Sequence, residues 1–139
     1  MNKYILVALY FLSLNLSGAQ SIFGKWKSID DETGKEKSII KIYEQDDRVY
    51  GKIIQLLNPS KPNPKCTECE GSKKDQPITN MVIIEGLEKD DDVYEGGIIL
   101  NPENGKEYQC QLKLDDKNTL RVRGYVAFFY KAQYWKRVD

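Results

Sequence analysis

Polar and apolar side chains alternate with a period of two from residue 107 to residue 126. Tyr108, Cys110, Leu112 and Leu114 share one face of an extended segment, and Glu107, Gln109, Gln111 and Lys113 share the other. Leu120, Val122, Gly124 and Val126 repeat the pattern against Thr119, Arg121, Arg123 and Tyr125. Such alternation marks two half-buried strands. The polar stretch Asp115-Asp116-Lys117-Asn118 between them predicts a hairpin connection.

Shorter segments extend the pattern in both directions. Residues 22–29, 37–44, 48–57, 93–100 and 133–138 read as strands, and Gln45-Asp46-Asp47 supplies a tight turn between the second and third. Residues 81–87 form an apolar run that fits either a strand or a single helical turn. Asn101-Pro102-Glu103-Asn104-Gly105 is turn chemistry: proline fixes one φ, and Asn-Gly tolerates positive φ. No amphipathic helix of three turns is present in the pattern. About eight strands joined mostly by hairpin-length turns predict an all-β, antiparallel up-and-down barrel with little helix, because sandwiches need longer crossovers. A closed barrel of eight strands leaves an interior for packed side chains or for one small ligand.

The exception to the short connections is the stretch 58–77. It holds four of the five prolines, Pro59, Pro62, Pro64 and Pro77, together with Cys66-Thr67-Glu68-Cys69. A long structureless loop is usually functional or specially tied down. A disulfide between Cys66 and Cys69, with Cys110 free, is the favoured pairing. A bridge from either to Cys110 stays open, since spacing alone does not fix connectivity. Thiol–disulfide exchange chemistry fits poorly, because Glu68 and Glu70 disfavour a thiolate and no βαβ pattern surrounds the motif.

The N-terminus adds a destination. Lys3 precedes an apolar run from residue 4 to 16, and Ser17-Gly18-Ala19 supplies the small residues a signal peptidase requires. Residues 1–19 therefore read as a cleaved signal peptide, and 20–139 as one exported domain, periplasmic or secreted. The apolar run is too short for a comfortable transmembrane anchor. The chain carries 21 basic and 21 acidic residues, so its net charge gives no general pull toward nucleic acid or an anionic membrane. It contains no histidine, which removes histidine-based nucleophile systems and most zinc sites. No catalytic residue, metal ligand or cofactor motif is identified, and a non-enzymatic role is expected. The acidic clusters Asp30-Asp31-Glu32 and Asp90-Asp91-Asp92 read as solvated turns.

An ordered set of short motifs resembles the domain-of-unknown-function 2147 family of exported bacterial proteins. The set is Gly24-Lys25-Trp26, Gly51-Lys52-Ile53, Cys66-x-x-Cys69, Pro77-Ile78, Gly96-Gly97-Ile98, residues 101–108, Arg123-Gly124-Tyr125 and Trp135-Lys136-Arg137-Val138. Two positions depart from the family pattern: Asn101 stands where Asp is common, and Tyr130-Lys131-Ala132 replaces a Gly-Arg-Thr-like stretch. The resemblance implies no activity. A weaker likeness to lipocalin and fatty-acid-binding-protein barrels rests on Gly24-x-Trp26. It implies an indole plugging one barrel end beneath a late arginine, Arg123 or Arg137.

The candidate ligand-binding residues are Trp26, Arg121, Arg123, Tyr125 and Trp135. Arg121, Arg123 and Tyr125 share one strand face and would greet an anionic head group if that face points inward. Alternation alone favours the opposite, with Leu120, Val122 and Val126 inside and the arginines in solvent. Trp26 and Trp135 fit a core plug as well as a ligand contact. The expected role is binding of a small hydrophobic or amphipathic ligand. The rival is an envelope structural or interaction module with a filled barrel that uses loop 58–77 as its partner surface. A redox role for Cys66 and Cys69 is a distant third.

Overall fold

The computed structural model describes residues 21–138; the predicted signal peptide lies outside them. Eight antiparallel strands close into one barrel in chain order, the last pairing with the first. They are β1 (Gly24–Ile29), β2 (Glu36–Gln45), β3 (Arg48–Leu56), β4 (Val82–Asp90), β5 (Val93–Asn101), β6 (Lys106–Asp116), β7 (Thr119–Val126) and β8 (Phe129–Val138). Apart from one 3-10 turn at Gly71–Lys73, the described residues contain no helix. The run at 81–87 resolves into β4, and β8 begins earlier than the sequence pattern suggests, at Phe129.

Alternation decides what lies inside. Trp26, Ile40, Ile42, Val49, Ile53, Ile84, Leu112, Leu120 and Val122 are all buried, and each sits one residue from an outward polar or charged position such as Lys25, Lys41, Lys52, Lys113 or Arg121. This is apolar inside and charged outside, the reverse of a membrane-spanning barrel. No helix among the described residues is long and apolar enough to cross a membrane.

Gly51 shows how tightly the walls approach. A Cβ there would lie 3.0 Å from Ile84 Cδ1 and 3.1 Å from Ile42 Cδ1. The residue faces the lumen from β3, opposite Ile42 of β2 and Ile84 of β4. Glycine leaves the volume those two isoleucines fill, which accounts physically for the first position of the Gly-Lys-Ile motif.

The long connection from β3 to β4 is ordered by its own bonds. Cys66 and Cys69 form a disulfide, Cys110 is free and buried, and backbone bonds run from Cys66 N to Gln76 O (2.8 Å) and from Ile78 N to Pro64 O (3.0 Å). The loop packs on the β5–β6 turn through Gly105. That residue has φ +72°, and a Cβ on it would sit 1.9 Å from the Glu68 carbonyl oxygen. An ion pair from Lys73 to Glu85, 2.6 Å, ties the loop to the outer side of β4. Cys66, Cys69, Ile78, Met81, Ile83 and Leu100 thus join the apolar core, and the loop is part of the fold.

Candidate ligand-binding cavity

The two ends of the barrel differ. At one end lie the start of β1, the end of β8 and the hairpins β2–β3, β4–β5 and β6–β7. Trp26, fully buried, fills this end, and its indole N–H donates to the Ile22 carbonyl at 2.8 Å. The Arg137 guanidinium lies over the indole, 4.2 Å from the ring centroid. Its Nε donates to Lys117 O at 2.7 Å, its Nη1 to Phe23 O at 3.2 Å, and its Nη2 to Ser21 O. Phe23 packs edge-on against Tyr94 across the same end. Of the two arginines the sequence offered as partners for Trp26, the structure uses Arg137.

The opposite end is open. A cavity of about 1090 Å³ enters here between the β1–β2 connection, the start of loop 58–77, the β5–β6 turn and the β7–β8 hairpin. Ile40, Ile53, Ile99, Tyr108, Val122 and Trp135 form its deeper wall. Ser28 and Ser38 add one polar spot, their hydroxyls 2.7 Å apart and buried. Gln133, a second polar group on the wall, accepts a hydrogen bond from the Trp135 indole N–H at 2.9 Å. The charges stand at the rim; Lys37 pairs with Glu103 and Lys131 with Glu32 at 3.7 Å, while Asp31 and Lys35 line the same rim. Asp30 closes the β1–β2 turn by accepting the N–H groups of Glu32 and Thr33, both at 2.9 Å. Those bonds, the one from Thr33 foremost, hold its carboxyl below the ordinary value.

The five residues proposed from sequence do not converge. Trp135 lines the cavity. Trp26 seals the far end and is not among the lining residues. Arg121, Arg123 and Tyr125 alternate with the inward Leu120 and Val122, so they occupy the outer face of β7 and do not reach the lumen. There Arg121 donates to Gln111 Oε1 at 2.9 Å, and Gln111 donates to Glu95 at 2.9 Å. Arg123 lies over the Tyr130 ring, 4.2 Å from its centroid. Hydrogen bonding to the Tyr125 hydroxyl, ahead of other causes, raises the guanidinium further above its already high ordinary value.

Sequence reasoning passed over Tyr108, Gly124, Phe129 and the Ser28–Ser38 pair. Their strand parity places them with Leu112, Val122 and Trp135. The signal was present in the alternation, but which end stays open is not written there.

The fold and the cavity define a lipocalin-like barrel, plugged at one end by a tryptophan beneath an arginine and open at the other. Residues 24–137 match the model of a family described as uncharacterised proteins conserved in bacteria, DUF2147, and the chain belongs to that family. Among solved structures it is similar to protein HP1028 from the human pathogen Helicobacter pylori, which belongs to the lipocalin family. The TM-score is 0.75 at 19% identity, covering 87% of this chain and 85% of that one. That likeness concerns the fold. Curated proteins return no match.

Proposed function

We propose that this protein is an exported, non-enzymatic barrel that holds a small hydrophobic or amphipathic molecule in the cavity at its open end. The carrying observation is the uneven filling of the lumen. Trp26, Leu112 and Leu120 pack one half solid, while the other half keeps a space of about 1090 Å³ with an apolar deeper wall and a polar, charged mouth. That volume lies just above the usual range of about 300–1,000 Å³ for small-molecule sites. With the charges confined to the rim, an apolar tail enters first and a polar head group stays beside Lys37 and Lys131. Export to the periplasm or medium accords with the N-terminal pattern and with the Cys66–Cys69 disulfide.

Gly124 provides the test. It lines the cavity, and a Cβ there meets Tyr108 Cβ at 3.5 Å, an ordinary contact. Gly124→Leu therefore projects into the empty space and occludes it with little disturbance of the wall. Uptake of the fluorescent apolar probe N-phenyl-1-naphthylamine, displaced by long-chain fatty acids, is expected for the wild type. It should fall at least tenfold in Gly124→Leu, with circular dichroism unchanged. Absence of uptake, or equal uptake by the variant, overturns the reading.

A further inference from the structure

The balanced net charge conceals a strong segregation that only barrel closure brings about. The strands β1, β3, β7 and β8 contain no aspartate or glutamate. The acids of the wall concentrate on β4, β5 and β6, with Glu85, Glu88, Glu95, Glu107 and Asp115 among them. Because β8 pairs with β1, the basic strands from opposite ends of the chain become neighbours. The outer surface running from β7 through β8 and β1 to β2 thus presents Arg121, Arg123, Lys136, Lys25, Lys27 and Lys41. Opposing charges stand at its margins: Glu36, bonded to Lys27 at 2.6 Å, Glu32, 3.7 Å from Lys131, with Asp30 and Asp31 of the β1–β2 turn, and Glu44 at the end of β2.

The same wall ends in exposed aromatics. The β7–β8 hairpin turns at Ala127 and Phe128, with Ala127 at φ 52°. Phe128 is 103% exposed, Phe129 62%, Tyr130 49% and Tyr134 47%. Solvent-exposed phenylalanine at a turn tip serves no packing purpose in a water-soluble domain, and contiguous exposed apolar surface marks an interaction site. Aromatic rings beside lysines and arginines suit the boundary between lipid head groups and acyl chains. Val126 and Phe129 of this hairpin also line the cavity mouth.

We propose that the β7–β8–β1–β2 wall docks on a bilayer containing anionic phospholipid, with the Phe128 tip inserted at the head-group boundary. Charge complementarity selects the lipid, and the aromatic tip anchors it. Docking in this pose brings the β7–β8 side of the cavity mouth, at Val126 and Phe129, close to the membrane. The docking itself does not require an occupied cavity, and it is measured separately from probe uptake.

Co-sedimentation of the purified protein with vesicles of equal phosphatidylglycerol and phosphatidylcholine, against pure phosphatidylcholine, tests the proposal. Binding is expected only to the anionic vesicles and should weaken steeply as salt is raised. Lys25→Glu with Lys41→Glu should lower it at least tenfold. Phe128→Ser, whose side chain packs on nothing, should lower it several-fold with unaltered probe uptake. Phe128→Trp should add a fluorescence component that shifts to the blue on vesicles and is quenched by brominated lipid. Equal binding to both vesicle types, or none, overturns the proposal. So does an unshifted Phe128→Trp signal, or sedimentation showing that the tip instead joins two copies in a dimer lost on Phe128→Ser.

Discussion

The Arg137 guanidinium caps the Trp26 indole at 4.2 Å and at the same time ties three backbone carbonyls, of Ser21, Phe23 and Lys117, to the barrel end. One side chain thereby joins the residues before β1, the β6–β7 hairpin and the end of β8. A partly desolvated cation over an indole is worth about 1–2 kcal/mol, and hydrogen bonds from a charged donor add to it. Arg137→Ala should therefore lower unfolding free energy by roughly 2–4 kcal/mol. Arg137→Lys should recover less than half of that, because an ammonium cannot fork to carbonyls lying in different directions. Urea denaturation followed by circular dichroism measures both.

Gly51 invites a sharper test of packing. Alanine there is overpacked against the Cδ1 atoms of Ile42 and Ile84, and overpacking of this kind costs about 1–3 kcal/mol. Ile42→Val removes one of the two offending methyl groups. The double variant Gly51→Ala/Ile42→Val is expected to be more stable than the sum of the single effects predicts, by about 1 kcal/mol in a double-mutant cycle. Additive losses would show that the wall, not the methyl group, takes up the strain.

Much of this arrangement was legible in the chain. Alternation at 107–126 sets both the strands and their faces, since Leu112 and Leu120 could be inside only if Lys113 and Arg121 were outside. Hairpin-length polar turns such as Asp115–Asn118 fix the neighbours, and the C-x-x-C spacing permits the bridge found. What the pattern does not contain is long-range. The pairing of Trp26 with Arg137 rather than Arg123 depends on β1 meeting β8, a closure more than a hundred residues distant in sequence. The open end is equally non-local: it arises where Gly124, Val122 and Ile99 leave space that no single strand reveals. The docking of loop 58–77 on the β5–β6 turn hinges on Gly105 admitting the Glu68 carbonyl, a contact between the long proline-rich stretch and a segment that reads as turn chemistry alone.

Acid should loosen the turns before the core. Asp30 and Asp116 each accept backbone N–H bonds within their turns, Asp116 from Asn118 at 2.8 Å. Those bonds hold both carboxyls below their ordinary value of 3.8. A carboxyl lowered on folding stabilises the fold above its unfolded value, and that contribution disappears as pH falls through the folded value. Stability should thus decline below about pH 4. Asp30→Asn with Asp116→Asn should flatten that decline by lowering stability at pH 7 toward the acid value. With no histidine in the chain, the profile from pH 6 to pH 8 should be nearly level.

Cys110 sets the alkaline limit. Its thiol is 2% exposed on the inner face of β6, and burial pushes it up to about 12 from the ordinary 9.0. Folding then favours the protonated thiol, so the contribution is complete below pH 9 and drains away as pH rises toward 12. Native protein should react with a thiol-specific chromogenic disulfide only as fast as it unfolds, whereas denatured protein should titrate at once. Cys110→Ala should cost about 1–2 kcal/mol at neutral pH from the space left behind, yet lose less stability than the wild type between pH 9 and pH 11. Rapid labelling of the native thiol at pH 8, under conditions where global unfolding is slow, would mean that the inner face of β6 is open to solvent from the mouth.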